Sequence, residues 1–163
     1  MRRSGNADAD GEAGELRAAY VLGLVGADGT RPFRSRAMGA KTPGHDLFVE
    51  LLDGGLVVGC FVVQVKATRS AVNGRGRLPV SLRAGDLPAM RHVLPSYVVG
   101  VHLPSQACYV AETPAPGAAP VSTMPTRNRL DVPETRDALC RAVRRRWRTG
   151  PGGPFGDEFR YGD

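Results

Sequence analysis

Lysine is nearly missing from this chain: of 22 basic residues only Lys41 and Lys66 are lysine, and all the others are arginine. Arginine is what this sequence places wherever a basic side chain suffices, so a lysine that persists marks a position arginine does not fill. A guanidinium is planar and always protonated, whereas an ammonium is a compact point charge with a tunable pKa. Cysteine is scarce as well. Cys60, Cys108 and Cys140 are odd in number, far apart and without a C-x-x-C pair, which argues against a disulfide framework or a zinc site and for reduced packing residues. No apolar run approaches the roughly 20 residues of a membrane span; the longest covers residues 56–63. Met1-Arg2-Arg3 leads into Ser4-Gly5-Asn6 and not into an apolar segment, so neither a secretory nor a twin-arginine signal is read and a cytoplasmic protein is expected.

What is present fits one globular domain. At 163 residues with 42% hydrophobic content the chain can bury a core of ordinary size. The net charge of +6 and pI near 9.8 favour a polyanionic partner. An arginine-biased composition produces the same charge with no partner at all, so charge supports a motif and does not replace one.

The stretch Phe61-Val62-Val63-Gln64-Val65-Lys66-Ala67-Thr68 reads as a buried strand that abruptly carries a polar pair. Gln64 and Lys66 are two apart and share one face, while Val63 and Val65 point the other way. Desolvating a lysine is expensive, so an apolar strand excludes it unless a partner or a reaction requires it. Upstream, the turn Thr42-Pro43-Gly44-His45 delivers Asp46 into the strand Leu47-Phe48-Val49-Glu50-Leu51-Leu52. The glycine-rich turn at Asp53-Gly54-Gly55 joins the two strands, and pairing them sets Asp46 beside the Gln64/Lys66 pair.

These residues resemble the PD-(D/E)XK nuclease superfamily, in particular a bacterial branch whose second motif reads Q-x-K. The resemblance covers the region from the first helix to Lys66 and the remainder in outline. It implies a restriction-endonuclease-like α/β core, a central mixed β-sheet flanked by helices, with magnesium or manganese as cofactor and DNA as substrate. Asp46 corresponds to the first-motif acid and Gln64-Val65-Lys66 to the second motif. Gly14-Glu15-Leu16-Arg17-Ala18 matches the family's G-E-x-x-A helix and nominates Glu15. The resemblance thus implies a cation held by Asp46, Glu15, the Gln64 side-chain oxygen and the Val65 carbonyl, with Lys66 positioning the attacking water. Gln64 departs from the family's acid, and a carboxamide oxygen is a neutral, weaker ligand for a hard cation. A metal-poor nucleic-acid-binding or regulatory module on the same fold therefore stands beside the nuclease reading. A third reading is an assembly subunit, as a homodimer or with a protein partner.

The rest of the chain is read from pattern. Asp8 or Asp10 caps a first helix running to about Leu24, with Leu16, Ala19, Tyr20 and Leu24 on one face. Glu12 and Glu15 in its first turns also complement the helix dipole without any chemistry. A strand is expected near residues 31–36, a mobile basic loop over 69–77, a short strand near 78–82 and a helix opened by Asp86 and Pro88. Residues 96–103 and 107–111 are strands, which completes a core over residues 1–112. Residues 113–132 read as a proline-rich linker. A basic amphipathic helix over 133–148 packs Leu139, Ala142, Val143 and Trp147 inward and presents Arg136, Arg141, Arg144, Arg145 and Arg148 outward. That face is either simply solvated or a phosphate-tracking ridge. The tail, 149–163, reads as flexible. Gly39-Ala40-Lys41-Thr42 lacks the spacing of a P-loop, and Pro43-Gly44 stops the helix one would need. Of the histidines, His45 abuts Asp46 in a turn, and His92 and His102 lack metal-ligand spacing.

Overall fold

Alternating β-branched runs and glycine turns organise the chain around one sheet, as a computed structural model describes for residues 4–39, 44–83, 93–115 and 117–149. The order is α1 (Ser4–Leu22), β1 (Phe33–Ala37), β2 (Leu47–Asp53), β3 (Leu56–Thr68), β4 (Arg77–Leu78), β5 (Ser96–His102), β6 (Ala107–Glu112), β7 (Met124–Pro125) and α2 (Pro133–Thr149). Five strands form a mixed sheet in the order β1-β2-β3-β5-β6, in which only β3 and β5 are parallel. The class is α/β. The expected helix at Asp86 and the tail beyond Thr149 lie outside the described residues.

β3 is the spine. Its N-terminal part continues five residues before the expected strand, pairing Leu56 with Asp53 and Val57 with Leu52 across the turn at Gly54 and Gly55. Both glycines have positive φ, which a tight hairpin requires and side chains resist. On one face of the sheet Val49, Leu51, Phe61, Val63, Val65, Val99 and Val101 form the main core with α1 and α2. On the other, Ala107, Tyr109 and Ala111 pack beneath Leu78, Val80 and Met124.

Four expectations are corrected. The buried face of α1 is Gly14, Ala18, Val21 and Leu22, whereas Leu16 and Tyr20 are 67% and 60% exposed. Small residues win this face because a Cβ on Gly14 would stand 2.7 Å from Ala67 Cβ, so the helix sits closer to β3 than a larger side chain permits. The helix also begins at Ser4, ahead of both expected caps.

Residues 113–132 are not a free linker. β7 pairs with β4, Val121 bridges Leu82, Arg129 bridges Tyr109, and Met124 and Leu130 are fully buried. Proline-rich composition suggested a spacer, but Pro125 lies in a two-residue ribbon, where a missing amide costs little.

Finally, Arg136 does not face solvent on α2. It is buried and donates to the carbonyls of Leu130 and Val25, tying the helix to both preceding segments. No helix among the described residues is long and apolar enough to cross a membrane.

Candidate active site

The site forms where β2 starts and β3 runs on without it. The Asp46 amide donates to the Val63 carbonyl at 2.9 Å and its carbonyl accepts from the Met38 amide at 3.0 Å, so its backbone is fixed on both sides. Beyond this point β3 has no β2 residue opposite. Amides in a ladder alternate sides, so Val65 points the same way as Val63, toward the gap that β2 leaves. The Asp46 carboxylate fills that gap: its Oδ2 accepts from the Val65 amide at 2.6 Å. The same alternation turns the Val65 carbonyl toward this gap.

Glu15 comes from the helix side. Gly14, in contact with Ala67 and Val65, brings α1 down on β3 one residue before Glu15. Burial raises the Glu15 pKa, and the Asp46 charge raises it further, with a smaller push from Glu12. Asp46 is also raised, first by burial; the Val65 amide bond, the Lys66 ammonium and His45 oppose that rise without cancelling it. Glu15 therefore senses the Asp46 charge, and Asp46 senses the Lys66 ammonium. Asp46 thus lies within electrostatic reach of both Glu15 and Lys66.

Gln64 follows a different logic. It is only 5% exposed, on the face of β3 opposite Val63 and Val65, and its Oε1 accepts no hydrogen bond among the described residues. A buried acceptor without a donor costs about 1–3 kcal/mol. Water or a cation would satisfy it; α1, which carries Glu15, packs on the other face of β3, against Val65 and Ala67. Two carboxylates at raised pKa fit a divalent cation, since an opposite charge relieves both burial and mutual repulsion. Among the described residues no cluster of three His, Cys, Asp or Glu side chains is placed for a metal. Glu15 and Asp46 supply two carboxylates, and Gln64 adds no charge.

His45, in the turn before Asp46, is buried. Its place in the site was not legible, because Pro43 and Gly44 signal a turn and not what covers it. Gly14, the first residue of the G-E-x-x-A pattern, lets the helix approach β3 closely, a role that sequence pattern alone does not reveal. His102 is occupied elsewhere, sharing a hydrogen bond with Ser105 in the β5–β6 turn. The basic loop after Lys66 is a defined turn: the Asn73 side chain accepts from the amides of Arg75 and Arg77, and Arg69 grips Asp10 of α1 through two nitrogens.

Compared with protein-family models, with curated proteins and with solved structures, the chain finds no match.

Proposed function

We propose that this protein is a metal-dependent nuclease of the restriction-endonuclease-like type, hydrolysing phosphodiester bonds in DNA in a setting such as bacterial genome defence or DNA processing. The observation that carries the reading is the Asp46 carboxylate seated on the Val65 amide, within electrostatic reach of both Glu15 and Lys66. A helix, then antiparallel strands, then a parallel crossover onto the motif strand supports the same reading.

Asp46, Glu15, Gln64 Oε1 and the Val65 carbonyl are the oxygens that would hold Mg²⁺ or Mn²⁺. Such a cation supplies charge neutralisation at the phosphoryl oxygens and acidifies bound water. The chain's own residues do the rest. The Val65 amide holds the Asp46 carboxylate in one orientation. Lys66, the lysine retained in an arginine-rich chain, orients the attacking water and the phosphate and assists removal of the water proton.

The second reading rests on Gln64, whose neutral oxygen weakens the donor set and favours a metal-poor module that binds nucleic acid without cutting it. Incubating the purified protein with supercoiled plasmid and end-labelled duplex in Mn²⁺, Mg²⁺ and chelator separates the two. The nuclease reading expects cation-dependent nicking or shortening that chelator abolishes; retention of DNA without cleavage in either cation favours the binding module.

A further inference from the structure

We propose that Arg141, Arg145 and Arg148 form a docking ridge for the phosphate backbone of duplex DNA, remote from the Asp46 site and independent of metal. The inference rests on the nucleic-acid part of the proposed function and not on cleavage.

The arginines of α2 divide into two groups with different tasks. Arg136 and Arg146 are buried, and Arg144 reaches Asp53 across to the β2–β3 turn at 3.1 Å. Those three hold the helix to the domain. Arg141, Arg145 and Arg148 are exposed, and their i, i+4, i+7 spacing sets them on one solvent-facing stripe. Among the described residues neither Arg141 nor Arg148 makes a hydrogen bond or ion pair, although several other surface arginines have acidic partners: Arg34 and Arg36 with Glu50, Arg69 with Asp10, Arg129 with Asp131. Three acids line the same cleft as Arg141, and each has another hydrogen-bonding or ion-pair partner. Asp53 takes Arg144, Asp28 binds Thr30, and Asp137 accepts from the Ala27 amide.

Arg141 and Arg148 stand about 10 Å apart on a stripe that Arg145 shares, a spacing that a polyanion lying along the helix can meet. B-DNA offers phosphates every ~3.4 Å along each strand, so it can meet all three without distortion. Charge complementarity thus selects the occupant. A second copy of a chain with net charge +6 would bring repulsion to the same surface.

The ridge is anchored firmly enough to transmit a bound position. The Trp147 ring lies over Gly59, where a Cβ would come within 2.8 Å of it, and its Nε1 donates to the Cys60 carbonyl at 2.8 Å. Both residues belong to β3, the strand that carries Lys66. Seven residues of strand separate Gly59 from Lys66, or about 23 Å, which corresponds to about seven base pairs of duplex.

The test is DNA binding in chelator, where cleavage plays no part. Fluorescence anisotropy of a labelled 20-base-pair duplex is measured from 50 to 300 mM NaCl for the parent, for R141Q/R145Q/R148Q and for R141K/R145K/R148K. Losing three phosphate contacts lowers the slope of log K against log salt by about 2.7. The ridge predicts that loss in the glutamine variant, a parental slope in the lysine variant, and unchanged melting temperatures in both. A parental slope in a folded glutamine variant overturns the proposal. So does a lysine variant as weak as the glutamine one, because phosphate tracking needs only charge. Anionic vesicles serve as the competing surface: if the glutamine variant loses vesicle binding while keeping its DNA slope, the ridge is a lipid contact. A parent that shows the slope loss on neutralisation but never cleaves DNA retains the ridge and loses the nuclease reading.

Discussion

In the proposed mechanism Lys66 carries the most chemistry per atom, and its nearest conservative relative is the sharpest probe of it. K66R keeps the charge but replaces a point cation by a larger fork that cannot accept a proton. Cleavage is expected to fall by about 100-fold or more, the usual scale of lost acid–base assistance, while the melting temperature stays at the parental value. Single-turnover cleavage beside a thermal melt checks this, and parental cleavage by the variant would demote Lys66 to an ion-pairing residue. Gln64 gives the complementary probe. If Gln64 belongs to the proposed donor set, Q64E adds a third carboxylate to it, so the melting temperature in chelator is expected to drop, while the stabilising shift on adding Mn²⁺ grows beyond the parent's. A variant with no added metal response would show that this side chain does not face a cation. Among single residues, Gln64 and Lys66 stand out in the sequence because they break an apolar run, and Asp46 because it opens one after a Pro-Gly turn. The burial of His45 and the close approach at Gly14 do not show there, since one is defined by what covers it and the other by what it leaves out.

The elements were legible to differing depths, and the reasons are physical. β3, β5 and β6 announce themselves through β-branched runs bounded by glycine and proline. The inner face of α1 misled, because Leu16 and Tyr20 have the stronger apolar signal yet lose the core position to Gly14 and Ala18. Close approach of helix to strand outweighed side-chain area there, and hydrophobic periodicity carries no term for distance. Residues 113–132 misled in the other direction, since proline content hides the anchors Met124 and Leu130. The helix–strand contact yields its own prediction. G14A sets a Cβ at 2.7 Å from Ala67 Cβ, an overpacking expected to cost about 1–3 kcal/mol and to move Glu15 away from Asp46. Adding A67G removes the opposing methyl and should restore both stability and metal response. Denaturant melts with and without Mn²⁺ follow the pair; a G14A protein with the parental midpoint and metal response would show that α1 is not held at this contact.

For the whole molecule, the two buried-side carboxylates make stability and cation binding functions of pH. Asp46 and Glu15 both titrate above their ordinary values, chiefly because of burial. In the metal-free protein each therefore contributes stability that is complete below its ordinary pKa and is lost as pH rises through its raised pKa. Asp10, Asp28 and Glu50 have lowered values from their hydrogen-bonded partners and act oppositely, losing their contribution as pH falls. D46N isolates the first effect, because a carboxamide oxygen can still accept the Val65 amide. Its melting temperature in chelator, relative to the parent, is expected to improve from pH 4 to pH 7; a constant difference would mean that Asp46 has no raised pKa. Cation binding follows the reverse course and strengthens over the same interval, as the two carboxylates ionise.

The central claim is that Glu15, Asp46 and the Gln64 oxygen hold a divalent cation beside Lys66. Calorimetric titration of Mn²⁺ into the parent, D46N and E15Q at neutral pH tests it most directly. The account predicts saturable cation binding by the parent, abolished in D46N and at least tenfold weaker in E15Q, with all three proteins folded. No binding by the parent, or equal binding by parent and D46N, would contradict it.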